Sequence, residues 1–173
     1  MILLGIGSNL ASSFGDRFEN IKLAIRHLKK SGIKIIKQSS FYETLSYPDI
    51  KNPKFINVVI AVDAVLKAED LMFLLISIEE KLERKRKIKN DPRTCDIDII
   101  DYRGKVINFQ HKNLKLQIPH EKINQRNFVL FPLKEIYPEW KHPKTNEIIS
   151  TLIEKLREVD RKSILKIEKY WYN

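Results

Sequence analysis

Pro92-Arg93-Thr94-Cys95-Asp96-Ile97-Asp98-Ile99-Ile100-Asp101 is the stretch around which the chain is organised. Thr, Cys and three Ile at this density predict a β-strand. Side chains alternate faces along a strand, so Asp96 and Asp98 share one face and Ile97 and Ile99 the other. Neighbouring carboxylates repel, Asp is depleted in strands, and a divalent cation is the usual relief. Asp96 and Asp98 are therefore candidate magnesium ligands, set against the plainer reading of two solvated acids on a half-exposed strand. Asp101 falls on the opposite face and reads as the start of a turn. A basic run, Lys81, Arg84, Lys85, Arg86, Lys87 and Lys89, leads into the strand, and Arg93 stands three residues before Asp96. Carboxylates for a metal beside many cations point to a phosphate substrate carried on magnesium. Arg93 offers the forked donor suited to phosphate, whereas the basic run equally suits an ordinary helix C-terminus.

Upstream of this strand, Leu71, Leu74, Leu75, Ile78 and Leu82 recur at helical spacing and predict a helix over residues 69–86. Before it, FINVVIAVDAVL at residues 55–66 predicts a central strand buried on both faces. Residues 45–54, with Pro48, Asn52 and Pro53, form a loop long enough to suggest function. Residues 33–44 predict a further strand. Asp16 as N-cap, with Glu19 three residues on, and Gly32 past the end bracket a first helix. Residues 2–6 are a short apolar strand ended by Gly7-Ser8-Asn9. The order strand, helix, strand, strand, helix, strand predicts an α+β, ferredoxin-like βαββαβ sandwich with both helices on one face of an antiparallel sheet.

Downstream, Arg103-Gly104 reads as a turn pairing the Asp strand with residues 106–109 in an added hairpin. C-terminal helices follow. A short helical piece covers residues 128–136, and an amphipathic helix covers 147–159 with Ile148, Ile149, Leu152, Ile153, Leu156 and Val159 as its stripe. Residues 164–171 read as a strand or a docked tail. His120, fixed behind Pro119, and Arg126 flank a loop and are candidates for anion contact. Phe55, Asn57 and Phe128 could form a flat slot for a planar ring, or serve as core aromatics and a strand amide. The other histidines read as structural or exposed.

The length of 173 residues predicts one domain, with about 141–173 as a C-terminal elaboration. A net charge of +10 favours polyanionic partners without choosing among nucleic acid, acidic lipid and ATP. Cys95 is the only cysteine, which fits a reducing compartment, and no apolar run nears the roughly 20 residues that span a bilayer. The expectation is a cytoplasmic protein. The sequence has no phosphate-cradling Gly-x-x-x-x-Gly-Lys loop and no Cys/His cluster for zinc.

These residues together resemble the 6-hydroxymethyl-7,8-dihydropterin pyrophosphokinases of folate biosynthesis. Carrying the resemblance are Ile6-Gly7-Ser8-Asn9-Leu10, Ser39-Ser40-Phe41-Tyr42-Glu43-Thr44, Phe55-Ile56-Asn57, the Asp96 stretch, Ile118-Pro119-His120, and the run from Arg126 to Ile136. The resemblance covers Met1 to about Trp140. It implies transfer of pyrophosphate from ATP to the pterin hydroxymethyl group, with AMP leaving, by a monomer that binds small molecules and neither nucleic acid nor membrane. It implies two magnesium ions on Asp96 and Asp98, and catalytic roles for Arg84 and Arg93. For ATP it implies Glu79, Arg86, Arg93, Ile99, Lys115, Leu116, His120 and Arg126. For the pterin it implies Thr44, Leu45, Phe55, Asn57 and Phe128. The chain departs from familiar members at Asn90, where Trp is frequent, at Phe55, where Tyr is, and at Glu121, where an aromatic is. Two rival readings stay open on residue chemistry alone. A polymerase-like palm also sets paired acids on such a sheet, and would release pyrophosphate. An RNA-binding module would need sheet aromatics where acids stand here.

Overall fold

The computed structural model describes residues 1–47, 49–85, 91–111 and 114–168. Its main sheet is built from β1 (Ile2–Ser8), β2 (Lys34–Gln38), β3 (Phe41–Thr44), β4 (Phe55–Asp63), β5 (Asp96–Tyr102) and β8 (Ile164–Ile167). The order is β5-β1-β4-β3-β8, with β2 also pairing β4, and the pairings are antiparallel. Helices α1 (Arg17–Lys30) and α2 (Ala68–Lys81) cover one face. There Ile2, Leu4 and Ile6 of β1 meet Ile56, Val58, Ile60 and Val62 of β4 and Ile97 and Ile99 of β5. The alternate residues Leu3, Val59, Ala61 and Ile100 face a second apolar cluster formed by α3 (Asn127–Ile136) and α4 (Ile149–Glu154). Helices thus cover both faces of the sheet, and β4 is buried along nearly its whole length, as its unbroken apolar run requires. Among the described residues no helix is long and apolar enough to cross a membrane.

The caps of α1 match expectation. Asp16 accepts from the N–H groups of Phe18 (2.9 Å) and Glu19 (3.0 Å), and Gly32, at φ 82°, ends the helix. The second helix stops short of its expected end at residue 86. It closes after Lys81 because Glu83 adopts a left-handed φ of 64°. The Glu83 and Arg84 N–H groups then return to the carbonyls of Glu80 and Glu79, a Schellman closure that usually falls to glycine. The Glu83 carboxylate accepts from Ser13 N–H (3.0 Å) and Oγ (2.5 Å), which holds this turn from outside the helix. Arg84 therefore leaves the helix axis and swings towards β5.

Three further expectations change. The single strand over 33–44 is broken at Ser39. Its N–H bonds Val59 O and its Oγ accepts from Val59 N–H, so the side chain fills the register step between β2 and β3. The added hairpin joins β6 (Ile107–His111) to β7 (Leu114–Ile118), not to β5. Ile107, Phe109, Leu116 and Ile118 bury against the α1/α2 core in that arrangement, and across the Arg103-Gly104 turn only an isolated bridge, Tyr102 to Lys105, forms. The helix over 147–159 is two pieces, α4 and α5 (Glu158–Lys162), because Arg157 is extended (ψ 147°) and chelates Asp160. Ile148 and Val159 of the expected stripe are consequently exposed.

Candidate active site

The register of the sheet lays the site out in one row. Asp96 of β5 faces Gly7 of β1, and Gly7 faces Asn57 of β4. Directly opposed residues project to the same face, so Asp96 and Asn57 look the same way from strands two apart, roughly 10 Å between their Cα atoms. This is the face that α3 and α4 pack, but their apolar cluster reaches only Leu3, Val59, Ala61 and Ile100 and leaves the row beyond it. Gly7 is required there: a Cβ at this position would lie 3.0 Å from Asn57 Oδ1 and 3.5 Å from the Phe55 ring. Gly7→Ala is expected to push the amide aside and raise the KM for a ligand of Asn57 by about tenfold, measured by steady-state kinetics.

At the acidic end, Asp96 and Asp98 are half-buried and surrounded by guanidinium groups. Arg84 donates to Asp96 Oδ1 at 2.6 Å, and Arg126 donates to Asp98 Oδ2 at 2.9 Å. Arg93 Nε lies 3.3 Å from Asp96 Oδ2 as an ion pair, and this buried N–H makes no hydrogen bond among the described residues. Burial pushes the Asp96 carboxyl upward, but Arg93 and Arg84 outweigh it and hold it below the ordinary range. For Asp98, burial and the neighbouring Asp96 charge prevail over Arg126 and raise its pKa. Two carboxylates of opposed tendency on one strand face form the donor set magnesium takes when substrate oxygens complete its shell, so the residues fit that ion.

Glu79 is buried beneath this layer. Its carboxylate accepts from Ile97 N–H at 2.7 Å and from Arg84, so it fixes both the start of β5 and the guanidinium aimed at Asp96. His120 follows a cis Ile118–Pro119 bond. Its Nδ1 accepts from Lys122 N–H at 3.0 Å, so the neutral ring carries its proton on Nε2, which lies 3.0 Å from Arg126 Nη2. Two donors face each other there, an arrangement that an anionic oxygen relieves. Burial, then Arg126, lowers the His120 pKa.

At the other end of the row, Asn57 Nδ2 donates to Thr44 Oγ1 at 3.0 Å. Phe55, two residues before Asn57 on β4, and Phe128 of α3 each carry a cation, Arg93 over Phe55 at 5.3 Å and Arg126 over Phe128 at 5.5 Å. These two rings and the acidic end thus share two arginines. Leu45 is exposed at the head of the 45–54 loop. Ile99 and Leu116 turn their side chains into the core, which leaves only backbone to meet a ligand, and Lys115 is exposed. Arg86 and residues 87–90, with Asn90, lie outside the described residues.

One organising residue carried no role in the sequence reading. Asn9 is buried, and its Oδ1 accepts from Arg93 N–H at 2.6 Å. Its Nδ2 donates to Pro53 O (3.1 Å) and Ser46 Oγ (3.3 Å), while the N–H groups of Asn9 and Leu10 bond Arg93 O. A single amide thereby ties Arg93 to both ends of the 45–54 loop. In sequence it is an ordinary Gly-Ser-Asn turn, and nothing local marks its distant partners. Asn9→Ala is expected to cost about 1–3 kcal/mol in thermal or denaturant unfolding, by stranding buried polar groups.

Residues 3–138 match the model of the 7,8-dihydro-6-hydroxymethylpterin-pyrophosphokinase family. A 2-amino-4-hydroxy-6-hydroxymethyldihydropteridine pyrophosphokinase of Methylorubrum extorquens is 34% identical over 137 residues, 79% of this chain and 82% of that protein. The folic acid synthesis protein fol1 of Pneumocystis carinii is 37% identical over 95% of this chain, which spans only 21% of that longer protein. A crystal structure of the Plasmodium falciparum HPPK-DHPS protein shares the fold, with a TM-score of 0.73 at 16% identity over 95% of this chain and 46% of that one. With the acid pair, its arginines and the amide slot all inside the matched span, the chain belongs to the 7,8-dihydro-6-hydroxymethylpterin-pyrophosphokinase family.

Proposed function

We propose that the chain transfers the β,γ-pyrophosphoryl group of ATP to the hydroxymethyl group of 6-hydroxymethyl-7,8-dihydropterin, releasing AMP, in folate biosynthesis. The observation that carries this reading is the row Asp96–Gly7–Asn57, with a cation-ringed carboxylate pair at one end and an amide beside the Phe55 ring at the other. Asn57 and Thr44 meet the amide-like edge of the pterin, since an Asn side chain supplies both hydrogen-bond polarities. Phe55 and Phe128 bracket its ring, with Leu45 at the loop side. Two magnesium ions held by Asp96 and Asp98 would neutralise the triphosphate and the charge that develops as AMP departs.

The chain's own groups do the positioning. Arg84, Arg93 and Arg126 exchange carboxylate partners for phosphate oxygens, and the exchange frees Phe55 and Phe128 from their cations as the pterin enters. His120 Nε2–H adds a neutral donor beside Arg126. Glu79 holds Arg84 on its heading, and the backbone near Ile99, Lys115 and Leu116, with Arg86, borders the nucleoside. In-line attack needs the hydroxyl close to the β-phosphorus, which the shared row favours. The strand order β5-β1-β4, with β2 and β3 beyond, supports reading the first half as ferredoxin-like. A single domain over 1–173, acting as a cytoplasmic monomer on small molecules and without nucleic acid, completes the proposal. Incubating the protein with MgATP and the pterin and identifying the adenine product tests it. Pterin-dependent AMP is expected, and ADP or no product overturns it.

A further inference from the structure

The family match ends at residue 138, yet the chain beyond it returns to the candidate site. Strand β8 pairs along the whole of β3, with Ile164 opposite Thr44 and Ile167 opposite Phe41. Thr44 is the hydroxyl that holds Asn57. On the other side, Asn127 sits between Arg126 and Phe128 at the start of α3 and is buried. Its Nδ2 donates to Asp160 O at 2.6 Å and to Ser163 Oγ at 3.1 Å, and Ser163 Oγ in turn donates to Asp160 O. Asn127 thus anchors the elbow between α5 and β8. Further along α3, Glu135 accepts from Ser40 N–H, Ser40 Oγ and Tyr42 OH, and pairs with Lys166 of β8 at 3.3 Å. Two separate clasps hold α3 and β3 to the same terminal segment. A cleft of about 280 Å³ has Thr44 and Leu45 on one wall and Ser163 and Ile164 on the other.

We infer that residues 158–167 form a strap that sets the spacing between Thr44 and Phe128, with Asn127 and Ser163 as positioning residues for the pterin and not for ATP. This rests on the pterin-slot reading above. The logic is geometric. Thr44 and Phe128 belong to different layers, β3 and α3, and the strap is bonded to both at the ends that carry them. Of the phosphate-facing groups, Asp96 lies on β5, on the far side of β1 from the strap, and Arg84 and Arg126 are held from that strand by Asp96 and Asp98.

Asn127→Ala, Ser163→Ala and the double variant, assayed as full chains, test the strap. The expected result is a rise of about three- to tenfold in the pterin KM, with kcat and the KM for ATP within twofold of the parent. The double variant is expected to match Asn127→Ala, because the two residues act through one contact. If Asn127→Ala does not fold, Ser163→Ala alone decides, since it removes only a hydroxyl. An unchanged pterin KM in folded Ser163→Ala and Asn127→Ala overturns the strap, as does an equal rise in both KM values. A parent chain that forms no pterin-dependent AMP overturns the functional reading itself. A working parent with unaltered variants removes only the strap.

Discussion

Asp96→Ala and Asp98→Ala are each expected to lower kcat by about 10³-fold or more, corresponding to about 4 kcal/mol of lost transition-state stabilisation. Pterin affinity, read by fluorescence titration, should stay within about threefold, because the proposed pterin contacts Asn57, Thr44 and the two rings are untouched. The two variants differ in what they leave behind. Among the described residues, removing Asp96 strips an ion-pair partner from both Arg84 and Arg93, while removing Asp98 strips one from Arg126. Asp96→Asn and Asp98→Asn keep side-chain size and remove the charge, so a loss shared with the Ala variants assigns the effect to charge. Near-normal turnover in all four would remove the carboxylate pair from the chemistry.

Arg84→Ala gives the second large effect, and it falls on stability as well as rate. Glu79 is 1% exposed, and Arg84 pairs with it in the interior. Burial opposes the charge on Arg84, but Asp96 and Glu79 together raise its pKa and keep it protonated. Deleting it leaves a buried carboxylate without that partner, at a cost of about 3–5 kcal/mol. For a chain of this size the melting midpoint should fall by about 10 °C. Adding Glu79→Gln to Arg84→Ala removes the buried negative charge while its amide oxygen can still accept from Ile97 N–H. The double variant should therefore recover most of the midpoint and none of the rate. Recovery of both would make Arg84 a purely structural residue. A midpoint unaffected by Arg84→Ala would remove the Glu79–Arg84 pair from the stability of the fold.

The parts of this molecule that were legible in sequence are those set by local rules. The shared face of Asp96 and Asp98 follows from strand alternation, and Asp16 and Gly32 cap α1 as short-range chemistry dictates. The unbroken apolar run of β4 announced a strand covered on both faces, which implied the second helical layer more clearly than the strand-and-helix order did. What escaped was held from a distance. Glu83 can end α2 in a conformation unfavourable by about 1–2 kcal/mol for a side chain other than glycine, because Ser13, 70 residues away, receives it. Ser39 breaks a strand by bonding Val59, and Asn9 joins loops 44 and 84 residues off. The second hairpin was missed because its apolar side buries against a helical core and not along β5. Within the site, side-chain types were readable, but their partners were not: Glu79 as the support of Arg84, and Arg93 and Arg126 resting on Phe55 and Phe128, depend on the fold being closed.

The fate of the β-phosphorus of ATP distinguishes every reading of the Asp96–Asn57 row. Protein incubated with magnesium, unlabelled pterin and ATP carrying ³²P at the β position should move the label into the pterin diphosphate, with unlabelled AMP appearing in equal amount. Label retained in ADP would show that the β,γ bridge is broken instead, and label released as free pyrophosphate would show that the pterin is not the acceptor; either contradicts transfer of pyrophosphate across this row.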